Sequence, residues 1–379
     1  MTLLKHELRK ILTFPALIGF IVLALALNIV VVSTMRNEYA AFIAEASRTT
    51  GIHLNADFDA RTALLTEGTY NDVFANLLRV QTLEMPDVLY GYTTGYIADS
   101  IVWRLGLSGL PERLMREKFQ QFQYAVDARQ QAGDSMNLYF AGATFNQHER
   151  LFEYTMGLLL FQGIILAALI MLHSVGYEFA AKTDYIVYAT KTGRKINRHK
   201  LAAGLLVGVG AYILLAAVTL VIYFAFNPMG VVWLSSVSSG FNFVRDGMMT
   251  RPFVTWLPLT VRGYLLASLG ISLGLVLCFG LMGYAAGLWI KNSYLGFMVL
   301  VAVNGVLFLF PYYSPWWMVN YIVMQGPIML VVMRGLWFTD GGANVLWPHF
   351  EIVGVVGSLV VLVFIGVAVS FWFKRRQLT

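Results

Sequence analysis

Cysteine and charge are both scarce in this chain. A single cysteine, Cys278, sits in an apolar segment among 379 residues. No disulfide can form within one copy, and the residue reads as a small buried hydrophobe. Charged residues make up 13% of the sequence against 58% hydrophobic ones. Soluble domains run near a quarter charged, so the composition points to an integral membrane protein. The formal net charge of +6 is then no argument for nucleic acid as a partner; where the charges lie matters more. Catalytic signatures are missing too. No G-x-x-x-x-G-K-[ST] phosphate loop occurs, so the chain is not expected to hydrolyse ATP. No His/Cys spacing suits zinc, and the one G-x-S-x-G match, Gly270–Gly274, lies inside a long apolar run rather than between a strand and a helix, so it is no nucleophile elbow. His148 and Glu149, next to Glu153, read as a solvated patch at a membrane boundary.

What the chain has is long apolar runs. A helical span needs about 20 apolar residues. Ile11–Met35, Tyr154–Gly176, Leu201–Phe226, Gly263–Ile290, Ser293–Phe310 and Ile352–Phe373 supply six. Met1–Lys10 is mildly basic, and the run after it is too long for a signal-peptide core, so the first span reads as retained. Met318–Met333 could be a seventh span, but parity opposes it. With Lys5, Arg9 and Lys10 inside, six spans return Lys374, Arg375 and Arg376 to the same side. The region 311–350, with Pro311, Pro315, Pro327 and several tryptophans, therefore reads as re-entrant or interfacial helices at the outer face.

The charges support that topology. The four segments 1–10, 177–200, Lys291 and 374–376 together hold 13 basic residues and three acids; residues 36–150 hold ten basic and fourteen acidic. The expected fold class is an all-α integral membrane protein with six spans and cytoplasmic N and C termini. Three parts follow: 1–35 with the first span, a mostly helical extracytoplasmic domain at 36–150, and five further spans at 151–379. Inside 36–150, Leu110-Pro111-Glu112 opens a helix that ends near Gly133. Phe58–Met85 shows a similar helical pattern, and Tyr90–Tyr96 reads as a loop.

Polar groups inside spans are functional candidates. Asn28, Gln162, His173 and Asn304 qualify, either as pathway-lining groups or as hydrogen-bonding links between helices. Glu153, Arg262 and Glu351 stand at the outer boundary, where they are expected to pair with one another or with headgroups. Glycines such as Gly204 and Gly283 let helices approach closely.

The most informative stretch is EFAAKTDYIVYATKTGRKINRHK, Glu178–Lys200, the core of a loop at 177–200. It carries six Lys/Arg and two acids, and Ile186, Val187 and Thr190 fall at helical spacing. It resembles the cytoplasmic loop of ABC-2 type exporter permeases. In that family the second span ends in Glu, a Gly-Thr pair follows, then apolar residues, a Thr-Pro-x-x-Arg segment, and a Lys that opens the third span. Glu178, Thr183, Ile186, Val187, Thr190, Arg194 and Lys200 match in order. Lys182 and Lys191 stand where the family usually has Gly and Pro. Met1–Leu12 is similar to the family's N-terminal amphipathic helix, and a large domain between the first two spans is a known variation.

The resemblance implies that this loop is a coupling helix docking on separate ABC ATPase subunits. It implies ATP and Mg in that partner and no cofactor in this chain. It further implies a second permease copy or paralogue, contact with membrane lipid, and a multi-pass place in the bacterial cytoplasmic membrane. The cargo class that suits the apolar spans and aromatic outer face is a hydrophobic or amphipathic peptide, drug or lipid. The rival reading is a membrane sensor or immunity protein that binds an extracellular ligand through 36–150 without transport. An ion-driven transporter would be expected to place acids deep in its spans, and this chain has none there.

Overall fold

Two-residue breaks and polar caps, more than the apolar runs themselves, set where the helices begin. The computed structural model describes residues 2–67, 72–142, 145–189, 193–246 and 249–375. Helix α1, Thr2–Leu12, buries Ile11 and Glu7 on one face. Phe14 is extended because it precedes proline, and Pro15 takes the first position of α2, Pro15–Ser33. The first span thus starts at Pro15, later than the apolar run suggests, and its 19 residues reach about 28 Å.

After α2 the chain leaves the bundle. Asn37 caps α3, Glu38–Thr50, its side chain accepting from the Ala40 N–H at 3.2 Å. The pattern over Phe58–Met85 is not one helix. It splits into α4, Phe58–Ala63, a 3-10 turn at Leu64–Glu67, and α5, Asp72–Leu83. The expected loop at Tyr90–Tyr96 is shorter than its glycine content suggests, since α6, Gly95–Leu105, already contains Tyr96. Helix α7, Leu110–Gln131, has Pro111 and Glu112 in its first turn and is followed by left-handed Gly133, as the sequence indicates.

A π-helical turn, Glu149–Thr155, leads without a break into α8, Met156–Ala180. A short helix, α9, Asp184–Ala189, precedes α10, Ile196–Phe226. The next segment holds the one departure from an all-α class among the described residues: an antiparallel hairpin of β1, Phe243–Asp246, and β2, Met249–Pro252, pairing Val244 with Arg251. Thr260 caps α11, Val261–Ile290. Left-handed Lys291 ends α11, and the Asn292 side chain caps α12, Ser293–Tyr313. Pro311 lies within the last turn of α12 and does not end it. The region 318–333 holds no helix of spanning length. It forms α13, Trp317–Val323, and α14, Pro327–Val332, both far too short to cross a bilayer. The last helix is α15, Phe350–Arg375.

Six of these helices are long and apolar enough to cross a membrane, so the chain is a multi-pass membrane protein. The centre of the bundle is α8 packed between α10 and α11, and α15 packs on α11. Small residues allow this. A Cβ at Gly283 would meet the Ala168 carbonyl oxygen at 2.8 Å, so α11 sits directly on the backbone of α8. By contrast α12 and α15 leave most of their surface open, with Tyr294, Met298, Val306 and Phe364 all exposed.

Both described chain ends lie at one end of the bundle, where Lys10 meets Glu178 and Phe373 meets Tyr188. We call this the near end. At the far end, residues from three parts of the chain share one layer. Ile101, Phe119 and Phe122 pack with Val254, Tyr321 and Leu346. The Ser239 hydroxyl donates to the Asn137 carbonyl at 2.7 Å, and Lys118 donates to the carbonyls of Asp340, Gly342 and Val345 at 3.0, 2.7 and 2.9 Å. The layer formed by 36–150 is therefore continuous with 229–262 and 336–349.

His148 is not on a solvated patch. It is 4% exposed, enclosed by Phe253, Phe152 and Tyr264 at centroid distances of 4.6, 4.8 and 5.4 Å. Burial holds its imidazole neutral, with the pKa pushed down to about 3. The outer-boundary charges also separate. Glu351 is fully buried, Arg262 is exposed, and Glu153 lends its backbone carbonyl to Arg334 Nε at 3.0 Å.

Candidate functional site

Helix α8 ends in a Schellman turn. The Thr183 N–H donates to the Glu178 carbonyl at 2.9 Å, and the Lys182 N–H donates to Phe179 at 3.2 Å. Lys182 sits at the left-handed position with φ +54°, where glycine is favoured. A lysine thus occupies the turn without changing its class. Thr183 then starts α9: its carbonyl accepts from the Ile186 and Val187 N–H groups at 3.1 and 3.0 Å.

Helix α9 has two unlike faces. Tyr188 is buried, its ring 5.3 Å from Phe373 and 5.8 Å from Phe179, and Val187 packs on the same cluster. Ile186 is 72% exposed and Tyr185 is 58% exposed. The apolar pair Ile186-Val187 therefore divides, one residue facing out and one in. Tyr185 joins the exposed face, a residue that sequence reasoning passed over because tyrosine is ordinary at a membrane surface. Thr190 and Lys191 lie outside the described residues, as do the side chain of Arg194 and all of Arg376.

The anchors of the loop are buried charges. Glu178 is 1% exposed and Lys200 is fully buried, and the two form a direct ion pair. Lys10 of α1 bridges Glu178 and Glu7 at 2.9 Å each. Four alternating charges thus link the ends of α1, α8 and α10. In the sequence Glu7 falls on the mainly apolar stripe of an amphipathic helix and Lys10 alongside it; nothing in their spacing names Glu178 as their partner. Glu178 and Lys200 offer no outward surface here. They fix the two ends from which α9 is suspended.

The four intramembrane polar residues do not form one group. Asn28 and Gln162 exchange hydrogen bonds at 3.0 and 2.7 Å, and Asn28 also donates to Thr219 at 2.8 Å. Asn28 is buried, so this set ties α2, α8 and α10 together. His173 stacks on Phe14 at 3.7 Å. Asn304 is buried and donates to the Leu300 carbonyl of its own helix at 2.9 Å. Thr219 was missed because a lone threonine in an apolar run carries no signal of its own. Among the described residues, no cluster of three or more His, Cys, Asp or Glu could hold a metal ion. No family model, no curated protein and no solved structure matches the chain.

Proposed function

We propose that this chain is the permease subunit of an ATP-binding cassette exporter. Its near end faces the cytoplasm, in keeping with the basic excess of 1–10, 177–200, Lys291 and 374–376. The observation that carries the reading is α9: a short helix at that end, suspended between two buried ion-paired anchors and presenting Tyr185 and Ile186 outward. A helix that exposes a large aliphatic side chain while both its ends are fixed is built to be pushed.

The partner supplies the nucleotide site that this sequence lacks, with its ATP and Mg. Closure of two such ATPase subunits presses on the Tyr185–Ile186 face. Tyr188 passes the displacement to Phe373 of α15 and Phe179 of α8. The Glu178–Lys200–Lys10 cluster passes it to α10 and α1. Packed helices shift as units, so the near-end movement reaches the far end through α8 and α11. A second copy or a paralogue completes the pathway, and the cargo class is hydrophobic or amphipathic.

The double variant Tyr185→Asp, Ile186→Asp tests this. Both side chains are exposed, so folding should be unchanged. Co-purification with the candidate ATPase and cargo-stimulated ATP hydrolysis should both be lost. A complex that assembles and couples normally with both aspartates in place overturns the reading.

A further inference from the structure

A cavity of about 520 Å³ opens at the near end between α2, α8 and α12. Small-molecule pockets are usually about 300–1,000 Å³. Its wall is apolar and aromatic, formed by Phe14, Leu17, Phe20, Leu169, Ile170 and Phe297. Ser293, Tyr294 and His173 add polar atoms to that wall, and the Ser293 hydroxyl is already engaged, donating to the Leu172 carbonyl at 2.8 Å. His173 lines the cavity while stacked on Phe14, and its Nε2 is buried with no hydrogen-bond partner. The imidazole is a polar group on this wall whose Nε2 the protein leaves without a hydrogen bond.

The level of the cavity follows from its elements. Phe14 precedes α2, Ser293 opens α12, and His173 lies two turns before the end of α8. The cavity therefore sits within reach of the near-end headgroup layer. The charged residues nearest the lining along the chain are basic: Arg9 and Lys10 just before Ile11, and Lys291 just before Ser293. Glu7 and Glu178 are offset by Lys10 and Lys200. Lys5 and Arg9 are exposed on α1, and Lys291 stands two residues before Ser293 with its ammonium 5.8 Å from the Phe179 ring centroid. Basic pockets between transmembrane helices on the cytoplasmic side suit anionic head groups.

We propose that this cavity binds an anionic phospholipid of the leaflet at the near end. One acyl chain fills the apolar wall, and the phosphate lies toward Lys291 and Arg9. An ester or phosphate oxygen lies against the imidazole of His173 in the cavity wall. The proposal rests on the orientation given above and is independent of the transport reading, so loss of ATPase coupling in the α9 variant leaves it untouched.

The test is native mass spectrometry of the full chain in nonionic detergent. Phosphatidylglycerol and phosphatidylcholine of identical acyl chains are offered in parallel, with oleate as a third arm. One phosphatidylglycerol should be retained about tenfold more strongly than phosphatidylcholine, and oleate should bind more weakly than either. Leu169→Trp, which fills the cavity, should abolish the bound lipid. Lys291→Gln should reduce the phosphatidylglycerol preference by about fivefold while leaving the protein monodisperse. Because Lys291 is at the surface, that variant decides the matter even if Leu169→Trp does not fold. Equal retention of the two phospholipids, or undiminished binding in either variant, overturns the proposal. So does tighter binding of oleate. Efficient disulfide formation between two copies of Phe297→Cys, in a Cys278→Ser background with no lipid retained, shows a second copy covering the cavity and overturns it as well.

Discussion

At the near end, Glu178 is gripped by Lys200 and Lys10, and Glu7 completes the row. At the far end, Arg251 is paired with Asp340, both 3% exposed at the side chain, while Lys118 gathers three backbone carbonyls of the segment 340–345. Both networks bury charge, and both join parts of the chain far apart in sequence. They hold different things. The near-end row joins the ends of three helices, so its members have no backbone freedom with which to escape burial. The far-end lysine holds a loop, whose carbonyls can turn to water if released. Removing one charge should therefore cost more at the near end.

Lys200→Met is the sharpest way to break that difference. It leaves Glu178 buried with less compensation and should destabilise the protein by about 3–5 kcal/mol, read as a lowered unfolding midpoint in detergent. Lys118→Met should cost less, about 1–3 kcal/mol, and act locally. Hydrogen exchange should rise over 340–345 while the amides of α8 and α11 stay protected. Equal effects of the two substitutions would remove the distinction between a fixed and a yielding anchor.

A third test concerns His148, a titratable group of the far end enclosed by aromatic rings. Its folded pKa is near 3, whereas the unfolded imidazole titrates near 6.5. Between those values the unfolded chain binds more protons, so stability is full above pH 6.5 and falls as the pH drops toward 3. Its share of the loss should reach roughly 1.4 kcal/mol at pH 5.5. His148→Phe should flatten that part of the pH dependence of unfolding; an unchanged slope would place the acid sensitivity elsewhere. The smallest expected effect is at the near-end turn. Lys182→Gly relieves a left-handed lysine but frees the unfolded chain, for a net gain of about 0.5 kcal/mol in unfolding free energy.

Legibility follows the same division. Each span could be read because about 20 successive apolar residues announce themselves without reference to anything else. The boundaries moved where a local rule intervened: Pro15 delays the first span, and α10 begins at Ile196, ahead of the apolar run at Leu201. Phe58–Met85 reads as helical and is, but its spacing did not show that two short helices and a 3-10 turn share it. The loop at 178–200 was legible as basic and partly helical. That its flanking Glu178 and Lys200 turn inward while Ile186 turns outward was not. Sequence spacing places residues on a helix face, and only the neighbours decide which face is covered.

The chain by itself determined that it enters the membrane, how many helices are long and apolar enough to cross it, and which end carries the basic excess. Those properties are sums over local composition, since transfer to lipid is additive along a run. Tertiary structure alone decided that Lys118 is a buried clamp rather than a solvated helix charge, that His148 is shut in by rings, and that Lys10 reaches across to Glu178. A buried charge needs a specific partner at bonding distance, and for Lys10 and Lys118 that partner lies more than a hundred residues away.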